Sequence, residues 1–164
     1  MNYIAGYLLA IYRDEEAAFR MLHAITVKYN MHELFNPEIP SLKLFFLQLD
    51  RMLSLTDADL SEQFEAEDVT SSYYASAWFI TVFTNSLQTN VGAAPEHRVN
   101  ESLLQIWDYF LLCGWKAVSK AALYMLRTQK PKIQAQPFEV ILAKLTEAPK
   151  TLLAPEGHGH SSLY

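Results

Sequence analysis

The chain has 164 residues, of which 51% are hydrophobic, 13% aromatic and 19% charged, with a formal net charge of -5. That length fits one domain, the composition excludes extensive disorder, and a mildly acidic chain lacks the basic balance that phosphate-directed nucleic-acid binding requires. The single cysteine, Cys113, excludes an internal disulfide and agrees with a reducing compartment.

Tyr3 to Tyr12 is a nearly uninterrupted apolar run. No Lys or Arg precedes it and it closes on Ile11-Tyr12-Arg13-Asp14, unlike a signal peptide. It is about half the ~20 residues of a membrane-spanning helix. The run predicts a core helix with an apolar face near residues 3–12 left open, at Tyr3, Tyr7, Leu8 and Ile11, and a further segment is expected upstream to cover it. Asp14 is the expected N-cap of a second helix, with Glu15 and Glu16 at the positive end of its dipole. Phe19, Leu22, Ile25 and Tyr29 follow at helical spacing, and Asn30 is a reasonable stop.

The two prolines of LFNPEIPS break the chain, and Ser41 is the expected cap of a third helix running to about Leu55. Leu42, Phe45, Leu49 and Met52 form its stripe, and Phe46, Leu47 and Leu53 widen it until most sides are apolar, the mark of a central helix. TDADLSEQFEAED predicts a short acidic helix that buries Leu60 and Phe64. Thr70 or Ser71 caps SSYYASAWFITVFTN; its WFITVF core is β-rich but lies inside a longer helical pattern. LQTNVGAAPEHRV has Gly, Pro and no periodicity, and predicts a long loop. Asn100 caps ESLLQIWDYFLLC, which stops at Gly114. Val118, Ala121, Ala122 and Met125 mark another helix; Phe138, Ile141, Leu142 and Leu145 mark a last one after the connector KPKIQAQP. The tail APEGHGHSSLY has no pattern. The expected fold is all-α, with about seven helices and no sheet.

Chemistry-bearing residues are sparse. His158 and His160 lie in the tail without a third ligand or a rigid shell. His23 reads as a core-edge histidine; His32 and His97 fall in or near loops. Cys113 reads as a small buried hydrophobe, with no adjacent Lys or Arg to lower its pKa. The four carboxylates of EQFEAED read as a solvated face, as does the pair Asp50-Arg51. No phosphate loop, H-E-x-x-H or G-x-S-x-G occurs. No catalytic residue and no metal site is assigned.

The order of the motifs resembles the TBC domain, the helical domain of Rab GTPase-activating proteins. MNYIAGYLLAIYRDEEAAFRML is similar to that family's Q-G-M-N, apolar helix, acidic break and second helix; Met1, Asn2 and Asp14-Glu15-Glu16-Ala17-Ala18-Phe19 carry the match. The family's leucine-rich helix, acidic helix and W-F-x-T-x-F follow, here Trp78, Phe79, Thr81 and Phe83. Its I-W-D and glycine are here Ile106, Trp107, Asp108 and Gly114. The loop at about 87–99 is longer than the family's and the tail has no counterpart.

The resemblance implies a multi-helix TBC-like domain over residues 1–147, its C-terminal portion, with a flexible tail at 148–164. The family inserts an arginine from I-x-x-D-x-x-R and a glutamine from Y-x-Q into the GTPase site. A guanidinium there neutralises charge on the γ-phosphoryl oxygens and is worth ~10³–10⁵ in rate in Ras-type systems. None of Arg13, Arg20, Arg51, Arg98 or Arg127 stands in that motif, and no Y-x-Q occurs. The chain is therefore expected to start just after the glutamine, with the first third to half of such a domain absent, and to be inactive alone. Trp78, Phe79, Trp107 and Asp108 are expected to be structural, Asp108 through a fixed hydrogen bond or salt bridge. Asn2, nearest in sequence to the family's glutamine, is the expected partner-binding residue. The implied partner is a Rab-type small GTPase, which itself holds GTP and Mg²⁺, so the chain needs no cofactor. The implied role is in vesicle trafficking, in the cytoplasm at the periphery of endomembranes, with membrane contact only through the Rab. Two alternatives stand beside this: a non-catalytic helical adaptor derived from a TBC domain, and an unrelated helical bundle that binds other proteins.

Overall fold

The computed structural model describes residues 1–36, 39–85 and 100–151. Among them every regular element is helical. The loop expected at 87–99 and the His158/His160 tail lie outside the described residues.

Helix α1 (Asn2–Tyr12) buries Ile4, Tyr7 and Leu8, an i, i+3, i+4 set. Tyr3 and Ile11 remain exposed, as expected, whereas Tyr7 and Leu8 do not. Arg13 in the left-handed region ends α1, donating its N–H to Leu9 O at 2.9 Å. Asp14 then caps α2 (Glu15–Lys28), its carboxylate accepting from Glu16 N and Ala17 N. This two-residue reversal folds α2 back on α1. Ala18 and Ile25 carry α2's buried face, so Phe19, expected inside, is 69% exposed. His23 is exposed rather than at the core edge.

A 3₁₀ turn (Met31–Phe35) buries Met31 and Leu34. Helix α3 (Pro40–Thr56) is capped by Ile39 rather than by Ser41. Pro40 occupies the first helical position, where its missing N–H costs nothing and its fixed φ is already helical. Leu42, Phe45, Leu49 and Leu53 face inward, with Met52 partly buried. Asp57 starts α4 (Ala58–Ala66), accepting from Leu60 N at 3.3 Å and from Lys130 Nζ at 2.6 Å. Leu60 and Phe64 are α4's buried residues, as the pattern predicts.

The expected single helix from Ser71 to Asn85 is broken. It becomes α5 (Ser71–Tyr74), a kink at Ala75, and α6 (Ser76–Thr81). Helix α7 (Glu101–Cys113) opens on Asn100, whose side chain accepts from Ser102 N and Leu103 N. Gly114 separates it from α8 (Trp115–Ile133), which runs through Pro131 into the expected connector. Proline there removes an internal hydrogen bond and its ring crowds the carbonyl four residues back, and the helix ends two residues later. Helix α9 (Phe138–Thr151) buries Ile141, Leu145 and Ala148, and continues past residue 147. The α8–α9 corner is clamped by α4. Gln63 donates to Ile133 O and Gln136 O and accepts from Ala135 N, while Glu67 accepts from Phe138 N. One carboxylate expected on a solvated face is thus a cap. Helices α3 and α8 form the centre, α3 packing on α4, α5 and α6, and α8 on α7, α9 and α3.

Gly114 has φ 65° and ψ −149°, a region essentially confined to glycine. Gly114→Ala is expected to destabilise the fold by ~1–3 kcal/mol in chemical denaturation. An added Cβ would meet only the Tyr29 ring at 3.7 Å, an ordinary contact, so the loss is backbone strain. Lys130, the N-cap bond and burial act on Asp57, with Lys130 foremost, and the net effect holds its carboxyl below the usual carboxylate range. A depressed folded-state pKa stabilises the fold above the unfolded value, about 3.9, and the effect is lost as pH falls through the folded value. Asp57→Ala is expected to cost ~1 kcal/mol at neutral pH, with the gap to the parent narrowing in melts below about pH 4.

Candidate functional site

The motif residues gather at the corner after α6. The chain stops there in a Schellman arrangement: Phe83 N donates to Trp78 O at 3.0 Å and Val82 N to Phe79 O at 3.4 Å. Glycine usually takes the left-handed position; here Val82 (φ 46°) holds it and Phe83 (φ 63°) follows. Both side chains are fully buried, and that packing offsets the strain of a β-branched residue in this region. Thr81 ties the corner. Its Oγ1 donates to Ala77 O at 2.6 Å and accepts from Asn85 N at 3.2 Å.

The twisted corner turns the Val82 carbonyl toward α7, where Trp107 Nε1 donates to it at 3.1 Å. The W-F-x-T-x-F and I-W-D motifs are thus two halves of one junction. From Trp107 ring contacts run to Tyr7 at 4.8 Å and to Phe110 at 5.6 Å, then from Phe110 to Trp115 at 5.2 Å, on to Phe45 at 4.7 Å and Phe79 at 5.3 Å. Trp78 stacks on Phe83 and leads through Tyr74 to Phe64. Gly114 lets Trp115 donate to Tyr29 O at 2.8 Å while Tyr29 Oη donates to Leu111 O at 2.6 Å, latching the end of α2 to the α7–α8 corner.

Trp78, Phe79, Thr81, Phe83 and Trp107 are buried, and Ile106 is only partly so because it sits on the edge of α7's inward stripe of Leu103, Trp107 and Phe110. Asp108, one position further round the helix, is exposed and joins no ion pair among the described residues. The fixed bond expected of it is absent there; instead its charge adds to burial in pushing the Tyr7 hydroxyl up. Burial, then the charge of Asp50, does the same to Tyr74. Neither hydroxyl finds a hydrogen-bond partner among the described residues. Asp50 is not merely solvated: Ser71 Oγ donates to it at 2.6 Å, and desolvation raises its pKa. Cys113 is exposed, because the inward stripe of α7 passes on its other side. His32 lies 3.4 Å from Thr26 O and 3.2 Å from Glu33. No group of three or more metal-ligating side chains forms, and no helix is long and apolar enough to cross a membrane, among the described residues.

One outward surface is the α1 edge. Asn2 is exposed at its N-terminal end, beside Met1, Tyr3, Leu9, Ile11 and Tyr12. An open groove of about 190 Å³ continues onto α2, lined by Ala5, Leu9, Glu15, Ala18, Phe19 and Leu22.

The described helices are joined through the buried signature side chains Trp78, Phe79, Thr81, Phe83 and Trp107. The Rab-GTPase-TBC domain family matches residues 1–134, and the chain belongs to that family. It is 29% identical over 141 residues to the ecotropic viral integration site 5 ortholog of Drosophila melanogaster, covering 86% of this chain and 16% of that protein. It is 26% identical over 159 residues to growth hormone-regulated TBC protein 1 of Xenopus tropicalis, covering 96% and 43%. It is 27% identical over 142 residues to the GTPase-activating protein GYP5 of Saccharomyces cerevisiae, covering 87% and 15%. The chain thus spans under half the length of each of these relatives.

Trp107→Phe keeps a ring in place but leaves the Val82 carbonyl unpaired. An unsatisfied buried acceptor costs ~1–3 kcal/mol, and the midpoint of urea unfolding should fall accordingly; an unchanged midpoint would show the junction to be incidental.

Proposed function

We propose that the chain is the scaffold-forming part of a GTPase-activating TBC domain directed at a Rab-type small GTPase. The observation that carries this is the junction between Trp107 and Val82, which spends both family motifs on packing and leaves the α1 edge with Asn2 outward. Asn2 is the proposed contact to the Rab. GTP and Mg²⁺ belong to the GTPase, and this chain supplies no cofactor. The proposed setting is cytoplasmic, on endomembranes that carry the Rab, in vesicle trafficking.

The chain itself does not accelerate hydrolysis. Acceleration requires groups placed to within about half an ångström of the productive geometry, and this sequence has neither I-x-x-D-x-x-R nor Y-x-Q. Contacts that bind ground and transition states equally leave the chemical step unchanged. Single-turnover GTP hydrolysis across a panel of Rabs, with the chain in excess, should run at the intrinsic rate. A hundredfold acceleration of any one Rab would overturn this, and Arg13, Arg20, Arg51, Arg98 and Arg127 would then be substituted singly. A non-catalytic adaptor is the second reading, in which a partner protein would cover the exposed apolar surface of Tyr3, Leu9 and Phe19. Rab binding with no acceleration, lost in Asn2→Ala, supports the first; binding of other proteins through this surface with no Rab bound supports the second.

A further inference from the structure

Charge is sorted in this acidic chain. Helices α3 and α8 carry seven of its 13 Lys and Arg residues and one of its 18 Asp and Glu residues. That one, Asp50, is occupied by Ser71. The two helices lie side by side and parallel: Phe45 packs on Trp115 near their starts, and Arg127 donates to the Thr56 carbonyl near their ends.

Each helix turns one stripe outward. On α3, Leu44, Leu47 and Leu55 are 51%, 66% and 71% exposed, with Arg51 between them and Lys43 beside them. On α8, Lys116, Lys120, Tyr124 and Arg127 recur at helical spacing and are all exposed. Lys43, Arg51, Lys116 and Lys120 form no ion pair with a carboxylate among the described residues. Leucines are therefore held in water inside a field of unpaired cations, on a helix whose inner stripe already fills the core. A solvated helix face needs the cations and not the leucines.

We infer that the outer face of α3 and α8 seats an acidic amphipathic helix from a partner protein. Leu44 to Leu55 spans about 16 Å at 1.5 Å per residue. Packed helices lie 8–10 Å apart, so the face is about three turns long and one helix wide. Apolar anchors of a docked helix would meet the leucines and its carboxylates would meet the cations. The most acidic helix of a second copy, α4, offers no apolar anchors, because it keeps Leu60 and Phe64 buried. A lipid surface fits less well, since no exposed Trp or Phe stands on α3 or α8.

The test is fluorescence anisotropy with the full chain and a labelled peptide of leucine and glutamate, its leucines at i, i+3, i+4 and i+7. A scrambled peptide of the same composition is the comparison. Saturable binding at least tenfold tighter for the ordered peptide is expected. The double substitution Arg51→Glu with Lys120→Glu should weaken it at least tenfold and create binding to a peptide with lysine in place of glutamate. Leu47→Ser should weaken it several-fold, and Lys144→Glu on α9 should leave it unchanged. Circular dichroism checks the fold of each variant; if the double variant loses helicity, Lys120→Glu alone carries the charge test. Equal binding of ordered and scrambled peptides, or indifference to the charge reversal, would overturn the proposal. So would sedimentation with phosphatidylserine vesicles that the same reversal abolishes, which would assign the face to lipid.

Discussion

The hydrogen bond from Trp107 Nε1 to the Val82 carbonyl joins parts of the chain 25 residues apart. Its donor needs α7 rotated so that Leu103, Trp107 and Phe110 face inward; its acceptor needs α6 to end in two consecutive left-handed residues. Neither condition is local. Val82 would not hold φ 46° on its own preference. It is kept there by the burial of its side chain and the pairing of its carbonyl, since leaving that carbonyl unpaired in the core would cost ~1–3 kcal/mol, as much as the strain itself. The aromatic path from Tyr7 through Trp107 to Phe45 then extends this junction from α1 to the centre of α3.

Much of this was legible in the sequence where the signal was short-range. Asp14 and Asn100 begin helices because a carboxylate or amide one to three residues before free backbone N–H groups can pair with them. Leu60 and Phe64 were legible because an acidic helix has few apolar residues to choose from. The misses share a cause: they depend on what packs from elsewhere. Phe19 and Cys113 are apolar or small and sit in apolar runs, yet they face away from the neighbours that α2 and α7 acquire. The break at Ala75 and the turn at Val82 lie in a stretch whose residues could all continue a helix. The pull of Trp107 on the corner has no trace in the stretch itself. Glu67 became a cap only because α9 begins above it.

For function, the same division has a plain meaning. The residues that make the family resemblance specific are those that hold the helices together, so they speak to membership and not to partner choice. Asn2 is among the exceptions, being exposed as Phe19 and Asp108 are, and its surroundings on α1 are apolar rather than charged. Contacts made there are governed by shape and apolar area, while those on α3 and α8 are governed by charge as well. Two surfaces of different character on one scaffold let separate partners be discriminated independently.

The corner that begins at Thr81 and the cap at Asn100 have a bearing on how such domains diverge. Thr81 closes one end of the intervening chain through Asn85, Asn100 closes the other through Ser102 and Leu103, and the Trp107–Val82 bond keeps the two ends registered. Both ends are thus fixed by bonds made by residues outside the stretch between them. Doubling the length of a flexible connection costs only about 0.6 kcal/mol. Insertions and deletions can therefore accumulate between these two caps among descendants without disturbing the scaffold, making this position a natural place for a lineage to acquire new recognition elements.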